Sequence, residues 1–149
     1  MLAGRYRLDH CIIEYLDPHG QLSGRALWQG TDEILARQVA IELRVPGGPS
    51  SEQFLSTAMV VSRIVNARVI GVYDAVDEGD RAYVVREWVR GQSLEATVAD
   101  APLSPALAAV AARDTAEGLA AIHAAGAVHG NINPASVIIH SDGGVTLTD

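Results

Sequence analysis

From residue 6 to residue 28, polar and apolar residues mix on either side of Asp17-Pro18-His19-Gly20, a turn signature between two predicted strands. The run Gln38-Val39-Ala40-Ile41-Glu42-Leu43 reads as a third strand from its β-branched content. Pro46-Gly47-Gly48-Pro49 then breaks the chain, and Ser50-Ser51-Glu52-Gln53 offers a capping box, with Ser50 as N-cap and Gln53 three residues on. The helix that follows carries Phe54, Ala58, Val61 and Val65 on one stripe. Two more strands are predicted at Val69-Ile70-Gly71-Val72-Tyr73 and Ala82-Tyr83-Val84-Val85-Arg86, separated by the turn-forming Asp77-Glu78-Gly79-Asp80. A short helical stretch near Leu94 precedes Ser104-Pro105, an N-cap with proline at the first helical position. The long helix from there places Leu107, Val110, Ala111, Leu119 and Ile122 along its apolar side and stops near Gly126.

With 149 residues and 48% hydrophobic content, the chain can bury a core. Its net charge of −7 disfavours nucleic acid or an anionic membrane surface as the main partner. All 11 basic residues are arginine, so no lysine is present to hold a phosphate. Cys11 is the single cysteine, which excludes an internal disulfide and points to a reducing compartment; a small buried or half-buried thiol is expected there. No uninterrupted apolar run reaches the ~18 residues of a membrane span, so any anchor is expected outside these residues.

The candidate chemistry lies in His129-Gly130-Asn131-Ile132-Asn133-Pro134-Ala135-Ser136, which has the frame H-R-D-x-x-x-x-N of a protein kinase catalytic loop. Val39-Ala40-Ile41-Glu42 matches V-A-I-K, and Glu87-Trp88-Val89 matches the hinge. On these motifs the chain resembles the first part of a bacterial Ser/Thr protein kinase. The resemblance implies an α+β, two-lobed fold: an antiparallel sheet with one helix in the small lobe, then the start of a mainly helical large lobe. Residues 1–90 would form the small lobe and hinge, and residues 91–149 the first part of the large lobe, ending where D-F-G begins. More narrowly, the chain is similar to the intracellular pseudokinase domain of actinobacterial, mycobacterial MviN-type flippases of peptidoglycan precursors.

The polar positions depart from the kinase pattern. Only Gly20 and Gly24 stand where the phosphate-covering loop uses G-x-G-x-x-G, which favours an ordinary hairpin turn. Glu42 takes the lysine position and would set a carboxylate against phosphates, unless a register shift turns it to solvent. Thr57 falls where the partner glutamate of that lysine belongs, with a plain helix-surface residue as the alternative. Arg86 stands just before the hinge, on the same face as Glu42 if the two strands are neighbours, within reach of a cross-strand ion pair that would plug a vestigial pocket. Asn131 replaces the catalytic Asp, Asn133 the loop lysine and Ser136 the metal-binding Asn, while Asp149 matches the magnesium-binding Asp. His129 is retained, with a packing role.

These substitutions predict a protein that is not an enzyme: a pseudokinase acting as a regulatory scaffold, with no cofactor and no metal. The MviN-type resemblance further implies phosphorylation by an upstream Ser/Thr protein kinase. It also implies recruitment of an FHA-domain partner through a phosphothreonine beyond Asp149, to control cell-wall synthesis at the cytoplasmic face of the membrane. Two alternatives remain open. In one, nucleotide binds without transfer, with Ala40 and Ile138 as adenine walls and the backbone of Glu87 and Val89 at the hinge. In the other, the site is rearranged and catalytic, with an arginine such as Arg44 taking over the phosphate contact.

Overall fold

The computed structural model describes residues 1–148. It forms two compact units, Met1–Ser62 with Val72–Trp88, and Arg63–Gly71 with Val89–Asp149, so the segment after the first helix belongs with the second unit.

The first unit is an antiparallel sheet of five strands with one helix. The strands are β1 (Tyr6–Leu16), β2 (Leu22–Asp32), β3 (Arg37–Arg44), β4 (Val72–Asp77) and β5 (Ala82–Glu87), in the order β1-β2-β3-β5-β4. Residues directly opposite across an antiparallel pair share a face of the sheet. Trp28 faces Ile41 and Ile41 faces Val85, while Leu43 faces Tyr83 and Tyr83 faces Val76. That face closes over Leu2 and Tyr6 into the apolar core of the unit. The other face carries Arg25 opposite Arg44, Leu27 opposite Glu42, and Ala40 opposite Arg86. Period-two alternation therefore sends the apolar half of β3 into the core and its polar half into one shared patch.

The β1–β2 hairpin turns as the sequence predicts. Asp17 Oδ1 accepts hydrogen bonds from the backbone N–H of His19 and Gln21, closing the turn from a short acidic side chain. Gly24 sits at φ +74 with the Val45 carbonyl so close that a Cβ would lie 2.0 Å from its oxygen, so only glycine fits that backbone position. Asp32 ends β2 buried, gripped by Arg5 through two bonds of 2.9 and 2.7 Å; this guanidinium holds its carboxyl well below the usual carboxylate range.

Four local expectations are corrected. Helix α1 spans Glu52–Val61 after a 3-10 turn at Gly48–Ser51; its N-cap is Ser51, without a side-chain cap, and the Gln53 side chain reaches forward to Thr57 instead of back to Ser50. Val65 lies beyond the helix and is exposed, so the stripe stops at Val61. Strand β4 begins at Val72, because Val69 and Ile70 are buried against Leu147 in the second unit, through a parallel bridge and a 3.0 Å backbone bond. Cys11 is exposed on the edge strand rather than buried.

The second unit holds β6 (Gln92–Ser93), α2 (Leu94–Asp100), α3 (Pro105–Ala124), β7 (Val137–Ile139) and β8 (Val145–Leu147). Ser104 caps α3 by accepting from the Leu107 N–H at 3.2 Å, with Pro105 at the first position, as the sequence predicts. The buried line of α3 runs through Ala111, Asp114, Gly118 and Ile122. Gly118 lets the helix close on the second strand pair: a Cβ there would meet the Arg68 carbonyl at 2.8 Å and Leu147 at 2.9 Å. Asp114, buried in the same line, is paired with Arg68 at 3.3 Å and Arg113 at 3.2 Å. Among the described residues no helix is long and apolar enough to cross a membrane.

Candidate functional site

On the polar face of the first unit, Glu42 is buried rather than turned to solvent, which removes the shifted-register alternative. A lone buried carboxylate is costly, and this one is surrounded. Arg86, also buried, donates from Nη2 to Oε2 at 2.8 Å, the cross-strand pair expected from the diagonal placement of the two residues. Arg25 of β2 donates from Nε to Oε1 at 2.8 Å, and Arg44 from Nη2 to the same oxygen at 3.2 Å. Three guanidiniums thus converge on one carboxylate.

Two of these cations are fixed a second time. The Arg25 guanidinium lies 4.4 Å from the Tyr15 ring centroid, and that of Arg44 lies 3.8 Å from the centroid of Phe54 on α1. Arg25 and Tyr15 were not among the residues singled out from the sequence, and Phe54 was named only as part of the apolar stripe of α1. The signal was present for Arg25, since pairing the strand through it with Gln38-Leu43 puts it on the Glu42 face; nothing local marks Tyr15. Thr57 is exposed, and its hydroxyl donates to the Gln53 carbonyl at 2.9 Å within its own helix. Ala40 is half-buried beside Arg86, and Glu87 closes β5 opposite Val39.

In the second unit, residues 129–136 form a tight neutral network. A carbonyl can only accept, so the contact between His129 Nε2 and the Thr148 carbonyl places the proton on Nε2. Its Nδ1 then accepts the Asn131 N–H at 3.2 Å, and the neutral imidazole ties the loop to the segment after β8. Asn133 Oδ1 accepts from the Ala135 N–H, while its Nδ2 donates to the Asn131 carbonyl, both at 2.9 Å. The buried Ser136 completes a capping box: its Oγ accepts the Asn133 N–H at 3.1 Å and donates to the Asn133 carbonyl at 2.9 Å. Asn131 itself is exposed. Val89 and Ile138 are half-buried, Ile138 lying on β7 opposite Ser93 and Thr146. Asp149 lies outside the described residues.

A kinase fold implies a divalent cation at the position of Ser136. The donor set does not fit one: the Ser136 oxygen is buried and already engaged with the backbone of Asn133, and a hard cation needs accessible oxygen ligands.

Comparison with known proteins gives a consistent assignment. The protein kinase domain family matches residues 29–149. Serine/threonine-protein kinase PknL of Mycobacterium tuberculosis is 33% identical over 128 residues, covering 83% of this chain and 32% of its own length. Serine/threonine-protein kinase pkn2 of Myxococcus xanthus is 32% identical over 144 residues, covering 93% of this chain and 16% of its own. Serine/threonine-protein kinases drp72 of Corynebacterium efficiens is 29% identical over 147 residues, covering 92% and 28%. The chain therefore spans about a third or less of the length of these relatives.

These relatives correct two expectations from the sequence. All three are named as kinases, which points to an enzyme and overturns the reading of a non-catalytic scaffold that recruits an FHA-domain partner. The family is that of protein kinases in general, and nothing in the match singles out the MviN-type domains. The non-catalytic reading rested on the departures at the polar motif positions, the ion pair of Glu42 with Arg86 among them; the names of the relatives overturn it.

Proposed function

Because the chain belongs to the protein kinase family, we propose that it forms the small lobe and the start of the large lobe of a serine/threonine protein kinase, transferring the γ-phosphoryl group of ATP to a protein hydroxyl. The observation that carries this reading is the family match running through both the V-A-I-x strand and the catalytic-loop frame, with relatives that bear kinase names. Phosphoryl transfer passes through a loose transition state in which positioning and charge stabilisation do most of the catalysis, so a kinase can lose one group and keep the reaction.

Each residue then has a bounded role. In the first unit, Ala40 on β3 offers adenine an apolar wall. Asn131 stands at the end of a loop fixed by His129 and orients the attacking hydroxyl through its amide oxygen. An amide does not accept the proton at neutral pH, so the serine or threonine proton leaves to solvent or to an oxygen of the phosphoryl group as it is transferred, with ADP as the leaving group. A missing general base costs on the order of 10²- to 10⁴-fold in rate, which predicts a slow kinase.

The test is transfer of labelled γ-phosphate from ATP to a serine- and threonine-bearing protein by the whole protein. Incorporation that falls to background in Asp149→Asn and appears as phosphoserine or phosphothreonine supports the reading. Incorporation equal to that of a heat-inactivated sample, for both the natural protein and Asn131→Asp, overturns it.

A further inference from the structure

Helix α1 depends on a few contacts for its place on the sheet. It spans ten residues, too short to stand alone in water, and Ala58 is the residue that it buries. Its N-cap Ser51 makes no side-chain bond, and Thr57 turns its hydroxyl to the Gln53 carbonyl within the helix. Arg44, at the end of β3, reaches the helix instead. Its guanidinium carbon lies over the ring of the half-buried Phe54, 3.8 Å from the centroid, in the first turn of α1. The same guanidinium donates to Glu42 Oε1, from Nε at 3.4 Å and from Nη2 at 3.2 Å. The two contacts do not compete, because the carboxylate takes N–H groups at the guanidinium edge while the ring takes the cation over its face.

We propose that Arg44 and Phe54 form the link that fixes α1 to the sheet, with Arg44 as a positioning residue: the buried Glu42 fixes the guanidinium, and the guanidinium fixes the helix. The link rests on the geometry of the first unit; its bearing on catalysis rests on the kinase reading. Transfer by a protein kinase requires an ion pair between a lysine of the third strand and a glutamate of the helix after it. This chain carries Glu42 and Thr57 at those positions, and the exposed Thr57 is bonded within its own helix. The arginine–phenylalanine contact, two residues further along β3 and about one turn earlier in α1, joins the same two elements by another chemistry. Glu42 in the lysine position is then part of what supports α1.

Hydrogen exchange of the α1 backbone amides in the whole protein tests the link, since protection there reports how often that element opens. Phe54→Leu keeps apolar bulk and loses the ring face, while Phe54→Tyr keeps both. The expected result is α1 exchange faster by about two- to thirtyfold in Phe54→Leu and in Arg44→Gln, the equivalent of one cation–π contact, with natural protection in Phe54→Tyr. In the double variant the two effects should fall short of multiplying, because each removes the same contact. Natural protection in Phe54→Leu, or single effects that multiply in full, overturns the link. If Arg44→Gln fails to fold, the leucine–tyrosine contrast decides, and equal protection in those two variants overturns the link. Transfer of labelled phosphate separates this proposal from the kinase reading. Transfer that falls in Phe54→Leu and returns in Phe54→Tyr supports both. A loosened α1 with undiminished transfer overturns the link's catalytic bearing and leaves the kinase. A loosened α1 with no transfer in any form removes the kinase reading and supports the link.

Discussion

The strand pair bearing Glu42 and the loop bearing Asn131 both stand at positions where the protein kinase pattern demands charge, and they replace it by opposite means. At β3 the sign is reversed, and the reversal is absorbed by three arginines drawn from β2, β3 and β5. In residues 129–136 charge is removed altogether, and amides, a hydroxyl and a neutral imidazole close a network among themselves. The first arrangement depends on distant parts of the chain meeting; the second is complete within a few residues and one contact to Thr148. A buried charged cluster is costly to break, whereas a neutral local network is inexpensive to break.

The largest expected effect tests the charged half. Glu42→Met leaves three guanidiniums without their shared acceptor, one of them buried, and should destabilise the first unit by about 3–5 kcal/mol in denaturant unfolding. The double variant Glu42→Met with Arg86→Met should recover much of that loss. A single variant within about 1 kcal/mol of the natural protein, the range of an exposed ion pair, would show that the cluster is not coupled through its buried carboxylate.

The next effects lie in the second unit. Gly118→Ala puts a methyl group 2.8 Å from the Arg68 carbonyl, and overpacking of about 1–3 kcal/mol should outweigh the roughly 1 kcal/mol that alanine gains in helix propensity. A stabilised variant would mean that α3 can shift away from Arg68 and Leu147. Ser136→Ala removes the half of the capping box made by the Ser136 hydroxyl and should cost about 0.5–2 kcal/mol, less than Glu42→Met because only neutral bonds are lost. A larger loss than at Glu42 would reverse the comparison.

The smallest effect lies on the core face of the sheet, opposite the cluster. Burial, reinforced by a 2.9 Å bond to Asp74, pushes the Tyr6 hydroxyl up to about 12, and burial does the same for Tyr83. A tyrosine whose folded pKa lies above its ordinary 10.0 contributes stability that is intact below pH 10.0 and lost as pH rises toward 12. Tyr6→Phe should flatten part of that alkaline loss in pH-dependent unfolding while leaving the Glu42→Met effect unchanged. A natural protein whose stability is constant from pH 10 to 12 would remove the account of both hydroxyls.

Much of this was legible in the sequence because alternation and caps are local signals. Gln38 to Leu43 declared a strand, Ser104-Pro105 declared a helix start, and the facing of Glu42 and Arg86 followed from strand adjacency alone. The failures share one cause. Val69 and Ile70 look like strand residues but are claimed by Leu147; Asp114 and Gly118 look unsuited to a buried helix line but are selected by Arg68 and Leu147. The cationic surroundings of Glu42 depend on Arg25, seventeen residues away along the chain and adjacent in the sheet. The departures at Glu42, Thr57, Asn131, Asn133 and Ser136 together led to the expectation of an inactive scaffold, which the kinase relatives correct.

The most direct test of the central claim is transfer of labelled γ-phosphate from ATP by the whole protein, natural and Asn131→Asp, side by side. The account predicts slow incorporation into serine or threonine by the natural protein, and a rise on the order of 10²- to 10⁴-fold when the carboxylate is restored. No incorporation by either form, with the protein folded, would contradict it.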